Sequence, residues 1–333
     1  MTVNVTKPAL NIREKLAELD KPSGIAGEAM LRADSVQEQR NLIGAGRKNL
    51  IINGAMQVAQ RGTSFTSYSG YTIDRYMGFG HDYERIDNGD FYSLRSTYVS
   101  GTVANLYYPV ELQKGQLEND QVYTMSFRYK KSGSPLNIEM FYRVGTSGGS
   151  VVNQITSLDL APKSEFTKFT MTFTCKGRLS VHTALNIRFG NSDGVLEIAE
   201  LQLELGSVAT DFEHRSYGEE LALCQRYFYT PYQTEGDDTG LMFAGAKTST
   251  QIIGVAHFPV AMRTSPSVVN SSAQFRVDSQ ASLQSNTAGS TVVIEAGGPT
   301  SGLIKISGFS GLSSGDSFPC KYVAGTFAFQ SEL

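Results

Sequence analysis

Alternation is the feature that most restricts how this chain can fold. From Val122 to Tyr129 the residues read V-Y-T-M-S-F-R-Y, so Tyr123, Met125, Phe127 and Tyr129 share one side and Thr124, Ser126 and Arg128 the other. A period of two lines up residues i, i+2 and i+4 on one face of an extended strand and smears them around a helix. The same period recurs at Leu185, Ile187 and Phe189. It recurs around Phe166, Phe169, Met171 and Phe173, where the step from 166 to 169 breaks it. Leu196 and Ile198 alternate, and then Ala199, Leu201, Leu203 and Leu205 alternate on the opposite parity. That switch predicts a β-bulge near Ile198-Ala199, because one extra residue sends every later side chain to the other face. Further candidate strands run from Thr250 to Val260, Ser290 to Glu295, Leu303 to Ile306 and Tyr322 to Phe329. Polar turns such as Gly145-Thr146-Ser147-Gly148-Gly149-Ser150 separate the runs, and the chain holds 33 glycines to supply them. Many short strands between such turns predict a mainly β, antiparallel sandwich architecture.

The length of 333 residues is enough for about two domains at roughly 150 residues each. Only 18% of the residues are charged and the net charge is −3. That balance argues against a dedicated nucleic-acid binder, which shows a basic face or stripe. No apolar run of ~18 residues is present, so no helical membrane span is expected, and the N-terminus shows no secretory signal pattern. Cys175, Cys224 and Cys320 are scattered without a CxxC pair. They read as buried, reduced thiols of a protein made in a cytosol, neither a disulfide framework nor a zinc site.

Four segments follow from the patterning. Residues 1–48 are Ala-, Glu- and Leu-rich. Asn11 and Glu14 have capping-box spacing, and Ile12, Leu16 and Leu19 share a helical face. A second helix is expected from Ile25 to about Arg40, with Ile25, Ala29, Ala33 and Val36 as its stripe beside Met30. Two short helices with thin stripes need a partner surface. Either this chain's own β domain or another subunit can supply it. Residues 49–215 form the first β domain. Residues 216–231 are expected to hold a linker helix of about three turns. It would start at the Ser216–Glu219 capping-box spacing, carry Leu221, Cys224, Gln225 and Phe228 on one face, and close at Pro231. Residues 232–333 form a second β domain, in which Ser279–Thr287 reads as a polar loop or edge hairpin.

Catalytic signatures are missing. His81, His182, His214 and His257 have no metal-ligand spacing and read as surface or capping residues. No phosphate loop, dinucleotide fingerprint or G-x-S-x-G elbow occurs. Gly315-Asp316-Ser317 and Asp211-Phe212-Glu213-His214 match two esterase blocks, but in reversed order and with the serine in a Gly/Ser turn. Asp237 and Asp238 are adjacent, whereas a glycosidase needs two facing carboxylates roughly 5–10 Å apart. No metal and no cofactor is expected, and the chain is not expected to be an enzyme. Sugars are held by flat ring faces and hydrogen bonds, because a pyranose has one apolar C–H face. Tyr229 and Tyr232, with Asp237 and Asp238 in the loop after the linker helix, are the candidate carbohydrate-binding residues. Packing and solvated-turn roles are open for all four. The chain has no Trp, the commonest sugar platform.

Longer motifs carry a resemblance. Asn49-Leu50-Ile51-Ile52-Asn53-Gly54-Ala55-Met56-Gln57-Val58-Ala59-Gln60-Arg61-Gly62-Thr63-Ser64 resembles the opening strand of a β-sandwich module of bacteriophage tail fibres and related virion proteins. Tyr71-Thr72-Ile73-Asp74-Arg75-Tyr76 matches that module's Tyr-x-x-Asp-Arg-Trp, with Tyr76 in place of Trp. Its closing strand is similar to Ala199–Glu213, its following helix to Glu220–Phe228, and an early segment of its C-terminal domain to Phe258–Pro266. The resemblance implies a jelly-roll sandwich akin to carbohydrate-binding modules, a second β-sandwich at the tip, a virion location and a homotrimer. It implies that residues 1–48 attach to phage tail or baseplate proteins, with Ile12, Leu16, Leu19, Ile25, Ala29, Met30 and Val36 as assembly contacts. The β domains would then face a host cell-surface polysaccharide. Asp74 and Arg75 read as a structural pair within the module.

A trimeric binder has a physical logic, since linked weak sites can gain ~10²–10⁴ in avidity. A low-charge, hydroxyl-rich surface suits a neutral or mixed-charge glycan, with weak salt dependence. Two rival readings are a structural connector or decoration protein and a polysaccharide depolymerase or esterase. The depolymerase usually needs a solenoid periodicity that this sequence lacks.

Overall fold

The computed structural model describes residues 48–99, 105–143, 151–231, 239–278, 283–285 and 291–333. The expected N-terminal helices, with their assembly contacts, lie outside the described residues, as do Tyr232, Asp237 and Asp238. Leu50–Leu333 form one compact unit with two curled antiparallel sheets, each wrapped around its own apolar core.

The first sheet uses β1 (Ser64–Tyr71), β2 (Met77–Asp87), β3 (Tyr92–Thr97), β4 (Asn105–Glu111), β5 (Val122–Lys131), β6 (Leu136–Arg143), β7 (Val151–Leu160), β8 (Lys163–Thr174), β9 (Ala184–Gly190) and β10 (Val195–Leu205). Their order is β7-β6-β9-β4-β2-β3-β10-β5-β8, with β1 on β2. β2 pairs with β4 through Met77–Phe79 and with β3 through Asp82–Asp87. It thus bends the sheet into two facing halves, β3-β10-β5-β8 and β4-β9-β6-β7. From β3 onward, successive strands cross between the halves everywhere except at the β6–β7 hairpin, which is the jelly-roll winding. Phe127 on β5 meets Phe189 on β9 edge to face at 5.4 Å, a contact between strands that share no hydrogen bonds. Tyr123, Met125, Phe127 and Tyr129 all point into this core, as their alternation requires. Tyr76, at the position where the resembling module has Trp, is fully buried and meets Tyr108 at 5.0 Å. It is a core ring and offers no face to a ligand.

The broken alternation in β8 has a simple cause. Phe169 packs on Phe127 inside, at 5.3 Å, whereas Phe166 lies on the outer surface and meets Phe91 edge to face at 5.1 Å. The parity switch in β10 is a bulge one step beyond its expected place. The β5 register slips between Ala199 and Gln202, and Glu200 takes φ 51°. Leu196 and Ile198 before the slip, and Leu201 and Leu203 after it, all reach the core.

The one helix among the described residues, α1, spans Tyr217–Gln225, and the Ser216 hydroxyl accepts the Glu219 N–H at 3.3 Å. It ends well before Pro231 because Phe228 leaves for β11 (Phe228–Tyr229), which pairs with the last strand. The second sheet continues with β12 (Thr239–Thr248), β13 (Gln251–His257), β14 (Ser267–Asp278), β15 (Leu283–Ser285), β16 (Val292–Gly297), β17 (Ser301–Ser307) and β18 (Ser317–Gln330). Its order is β15-β14-β18-β12-β13-β17-β16. Ile252, Phe275, Ile304, Ile306, Tyr322, Phe327 and Phe329 fill its core.

One expectation about polar residues needs correction. His81 and His182 are buried, not superficial. His81 shares a 2.8 Å hydrogen bond with the Ser96 hydroxyl, and His182 stacks flat on Tyr142 at 5.3 Å. The three cysteines are free and buried; desolvation raises all three thiols, Cys320 to about 12, so they stay protonated and inert.

Candidate functional site

The segment joining Ile51 to Arg61 is fixed from within. Asn53 sits at φ 60°, and its side-chain oxygen accepts the Val58 N–H at 2.9 Å. Its amide nitrogen donates to the Val58 and Asp74 carbonyls at 2.8 and 2.9 Å. Asn tolerates a left-handed backbone because its short side chain can bond locally. The Asn53 N–H donates to the Glu220 carboxylate of α1 at 2.6 Å, so the helix is locked to this turn. Burial raises the Glu220 pKa, while the Asn53 N–H and Arg215 oppose the rise.

Asp74 and Arg75 do not pair with each other. Asp74 accepts the Gln60 N–H at 2.6 Å and the Gln60 side-chain amide at 2.7 Å. Its burial raises its pKa, and nearby Arg61 with the Gln60 bonds draws it back down. Arg75 reaches the other way, ion-pairing with Glu332 and donating to the Pro109 carbonyl at 2.8 Å. Its guanidinium lies 3.6 Å from the centre of the Tyr227 ring. Arg61 binds the same Glu332 carboxylate at 2.9 Å and lies 3.6 Å from the centre of the Phe228 ring. Arg263 donates to the Ser331 and Glu332 carbonyls at 2.9 and 2.8 Å. The two long motifs therefore build a clasp that grips residues 331–333 and ties the second sheet to the first.

Beside the clasp opens a cleft of about 890 Å3. Gln57 and Gln60 from the fixed segment, Arg85 of β2, Tyr92 of β3, Tyr217 and Gln225 of α1, and Tyr229 of β11 line it. Gln60 belongs to both structures: its amide also donates to the Phe228 carbonyl at 2.8 Å. Arg85 donates to the Gln57 carbonyl at 2.8 Å and lies 4.6 Å from the centre of the Tyr92 ring. The Gln57 amide donates to the Arg215 carbonyl at 3.1 Å. Tyr217 is 56% exposed on the first turn of α1, so its ring is open to the cleft. Flat rings interleaved with amide and guanidinium donors can stack on an apolar C–H face and bond its hydroxyls.

Of the sequence-selected residues, Tyr229 lies in the cleft wall, half-buried, with one ring face stacked on Phe329 at 6.1 Å. Tyr92, Tyr217, Arg85, Gln57 and Gln225 escaped the sequence reading. A tyrosine directly after a helix cap was the one available signal; the others depend on the joint between sheets. Among the described residues no group of three or more acidic, histidine or cysteine side chains is arranged to hold a metal. The described lining of the cleft contains no carboxylate.

No protein-family model matches the chain, and no curated protein matches it by sequence. Solved structures similar to part of it include the enzymatically active domain of tailspike protein 4 of bacteriophage CBA120. That match has 13% identity and a TM-score of 0.33 over 47% of this chain, and spans 21% of the tailspike chain. A CBM4 structure is similar at 14% identity and TM-score 0.31, over 40% of this chain and 95% of that one. The CBM22-2 xylan-binding domain of Paenibacillus barcinonensis Xyn10C is similar at 13% identity and TM-score 0.32, over 40% and 94% respectively.

Proposed function

We propose that this protein is a non-enzymatic, homotrimeric phage tail-fibre subunit. It docks on tail or baseplate proteins through residues 1–48 and binds a host surface polysaccharide through its β domains, in the virion. The observation that carries the binding part is the cleft beside α1. Its rings and the polar side chains of Gln57, Arg85 and Gln225 match what a sugar offers, and its described lining has no carboxylate pair for hydrolysis. The tail-fibre part is supported by the motifs around Asn53–Thr63 and Tyr71–Tyr76, which serve here as the clasp between the sheets.

Adsorption competition tests the reading. Purified protein should block adsorption of the parent phage to its host, and Tyr217→Ala should weaken that block by about tenfold. Raising salt from about 50 to about 300 mM should change it little, because the described lining of the cleft offers one cation, Arg85. Light scattering should give a trimer mass, and Leu16→Asp in the full chain should abolish incorporation into tails while leaving glycan binding intact. Release of oligosaccharide from the host polymer would sink the non-enzymatic reading.

A further inference from the structure

The cleft does not stop at Tyr92. Gln57 and Tyr92 also line a second pocket, of about 190 Å3, together with Phe91, Glu200 and Phe212. Glu200, Phe212 and His214 in turn line a third, of about 300 Å3, with Arg128 and Lys168. Shared wall residues set the three pockets side by side, from Tyr229 of β11 past the β2–β3 turn to β5 and β8.

The far end of this row is built around Arg128. The guanidinium lies 4.2 Å from the centre of the Phe91 ring and 5.5 Å from that of Phe166, and its Nη1 is 3.5 Å from the Glu200 carboxylate. Phe212 and His214 meet edge to face at 4.9 Å beside it. These rings are partly or wholly exposed and lie outside the apolar core. The β10 bulge sets the position of Glu200. It holds Glu200 in the left-handed region at φ 51°, a conformation that costs a non-glycine residue energy and clusters at ligand sites. The bulge turns the Glu200 carboxylate out into these pockets instead of into the core.

Charge narrows the ligand further. The middle pocket is lined by Asp87, Asp90 and Glu200 and, among its described residues, by no lysine or arginine. Carboxylates accept hydrogen bonds from hydroxyls and repel acidic sugars. Rings recurring between such acceptors fit a polymer that presents a C–H face and hydroxyls at regular intervals.

We infer that the three pockets form one groove that binds a linear, uncharged polysaccharide along several consecutive sugar units, with Phe91 and Arg128 as a distal subsite. This rests on the glycan-binding reading of the cleft and extends it.

The test screens the full chain on an array of purified bacterial surface polysaccharides, with Tyr217→Ala as the control for the cleft. The best-bound neutral polymer is then cut into sized oligosaccharides, and the affinity of each is measured by calorimetry. Affinity should rise at least about tenfold from disaccharide to hexasaccharide. Phe91→Ala and Arg128→Ala should remove about tenfold for the hexasaccharide and leave the disaccharide within twofold. Phe91→Leu, which keeps the bulk and loses the flat face, should behave like Phe91→Ala and guards against a folding artefact. If affinity stops rising at the disaccharide, or neither distal variant alters hexasaccharide binding while Tyr217→Ala does, the cleft stands and the groove falls. Preference for acidic polymers overturns the uncharged assignment. Binding to no polymer at all overturns the glycan reading and the groove with it.

Discussion

At the scale of single residues, His81 shows how burial writes a pH dependence into the fold. Its ring is fully buried; Nδ1 meets the Ser96 hydroxyl, and Nε2 finds no partner among the described residues. Desolvation lowers its pKa to about 4, with Asp82 opposing and Lys131 reinforcing the shift. In the unfolded chain the same histidine titrates near 6.5. Between those values the unfolded state takes up a proton that the folded state refuses, so stability falls as pH drops from about 6.5 towards 4. Full separation of the two pKa values corresponds to about 3 kcal/mol. Urea unfolding of His81→Gln should lose this pH slope relative to wild type. Equal slopes between pH 7 and 4.5 for the two proteins would remove the histidine as its source.

At the scale of elements, the short helix and the strand pairs show what a sequence can and cannot reveal. The Ser216 cap was legible because capping is chemistry within four residues. Ser216→Ala should cost about 1 kcal/mol, read from the urea midpoint at unchanged slope. The helix end was not legible, because a long-range pairing of Phe228 with Gln330 decides it. The same holds for Phe166, whose exposure depends on a partner, Phe91, in a distant turn. Alternation within β5 and the parity switch in β10 were legible for the opposite reason, since a strand's two faces are fixed by neighbouring residues alone. Close approach between strands is likewise invisible in sequence. A Cβ on Gly254 of β13 would lie 2.4 Å from the Phe243 carbonyl oxygen of β12. Backbone on both sides cannot rotate away, so Gly254→Ala should destabilise the second sheet by about 1–3 kcal/mol. An unchanged melting temperature for this variant would show that the hairpin can open by half an ångström or so without loss.

At the scale of the whole molecule, the question is whether two sheets with two cores behave as one body. Separate apolar clusters would by themselves permit two transitions. The clasp opposes that. Glu332, 3% exposed at its side chain, is shared by Arg61 and Arg75, whose side chains are 8% and 1% exposed. Tyr71 donates to the Leu333 carbonyl at 2.8 Å and the Ser331 N–H to the Tyr227 carbonyl at 2.7 Å, so the grip continues on the backbone. Removing one partner of a buried pair leaves an uncompensated charge and costs about 3–5 kcal/mol. In Glu332→Gln two buried guanidinium groups lose their shared carboxylate, and among the described residues Asp74, 3.9 Å from Arg61, is the one remaining ion-pair partner. The wild type should therefore melt in a single calorimetric transition. Glu332→Gln should uncouple the sheets, so that the second unfolds several degrees before the first. The cleft beside α1 would suffer with it, since Gln60 connects Asp74, the Phe228 carbonyl and the cleft wall. If the cleft binds glycan as proposed, that affinity should fall in Glu332→Gln even though residue 332 does not line the cleft. One transition at an unchanged temperature in the variant would mean that the backbone contacts alone join the sheets.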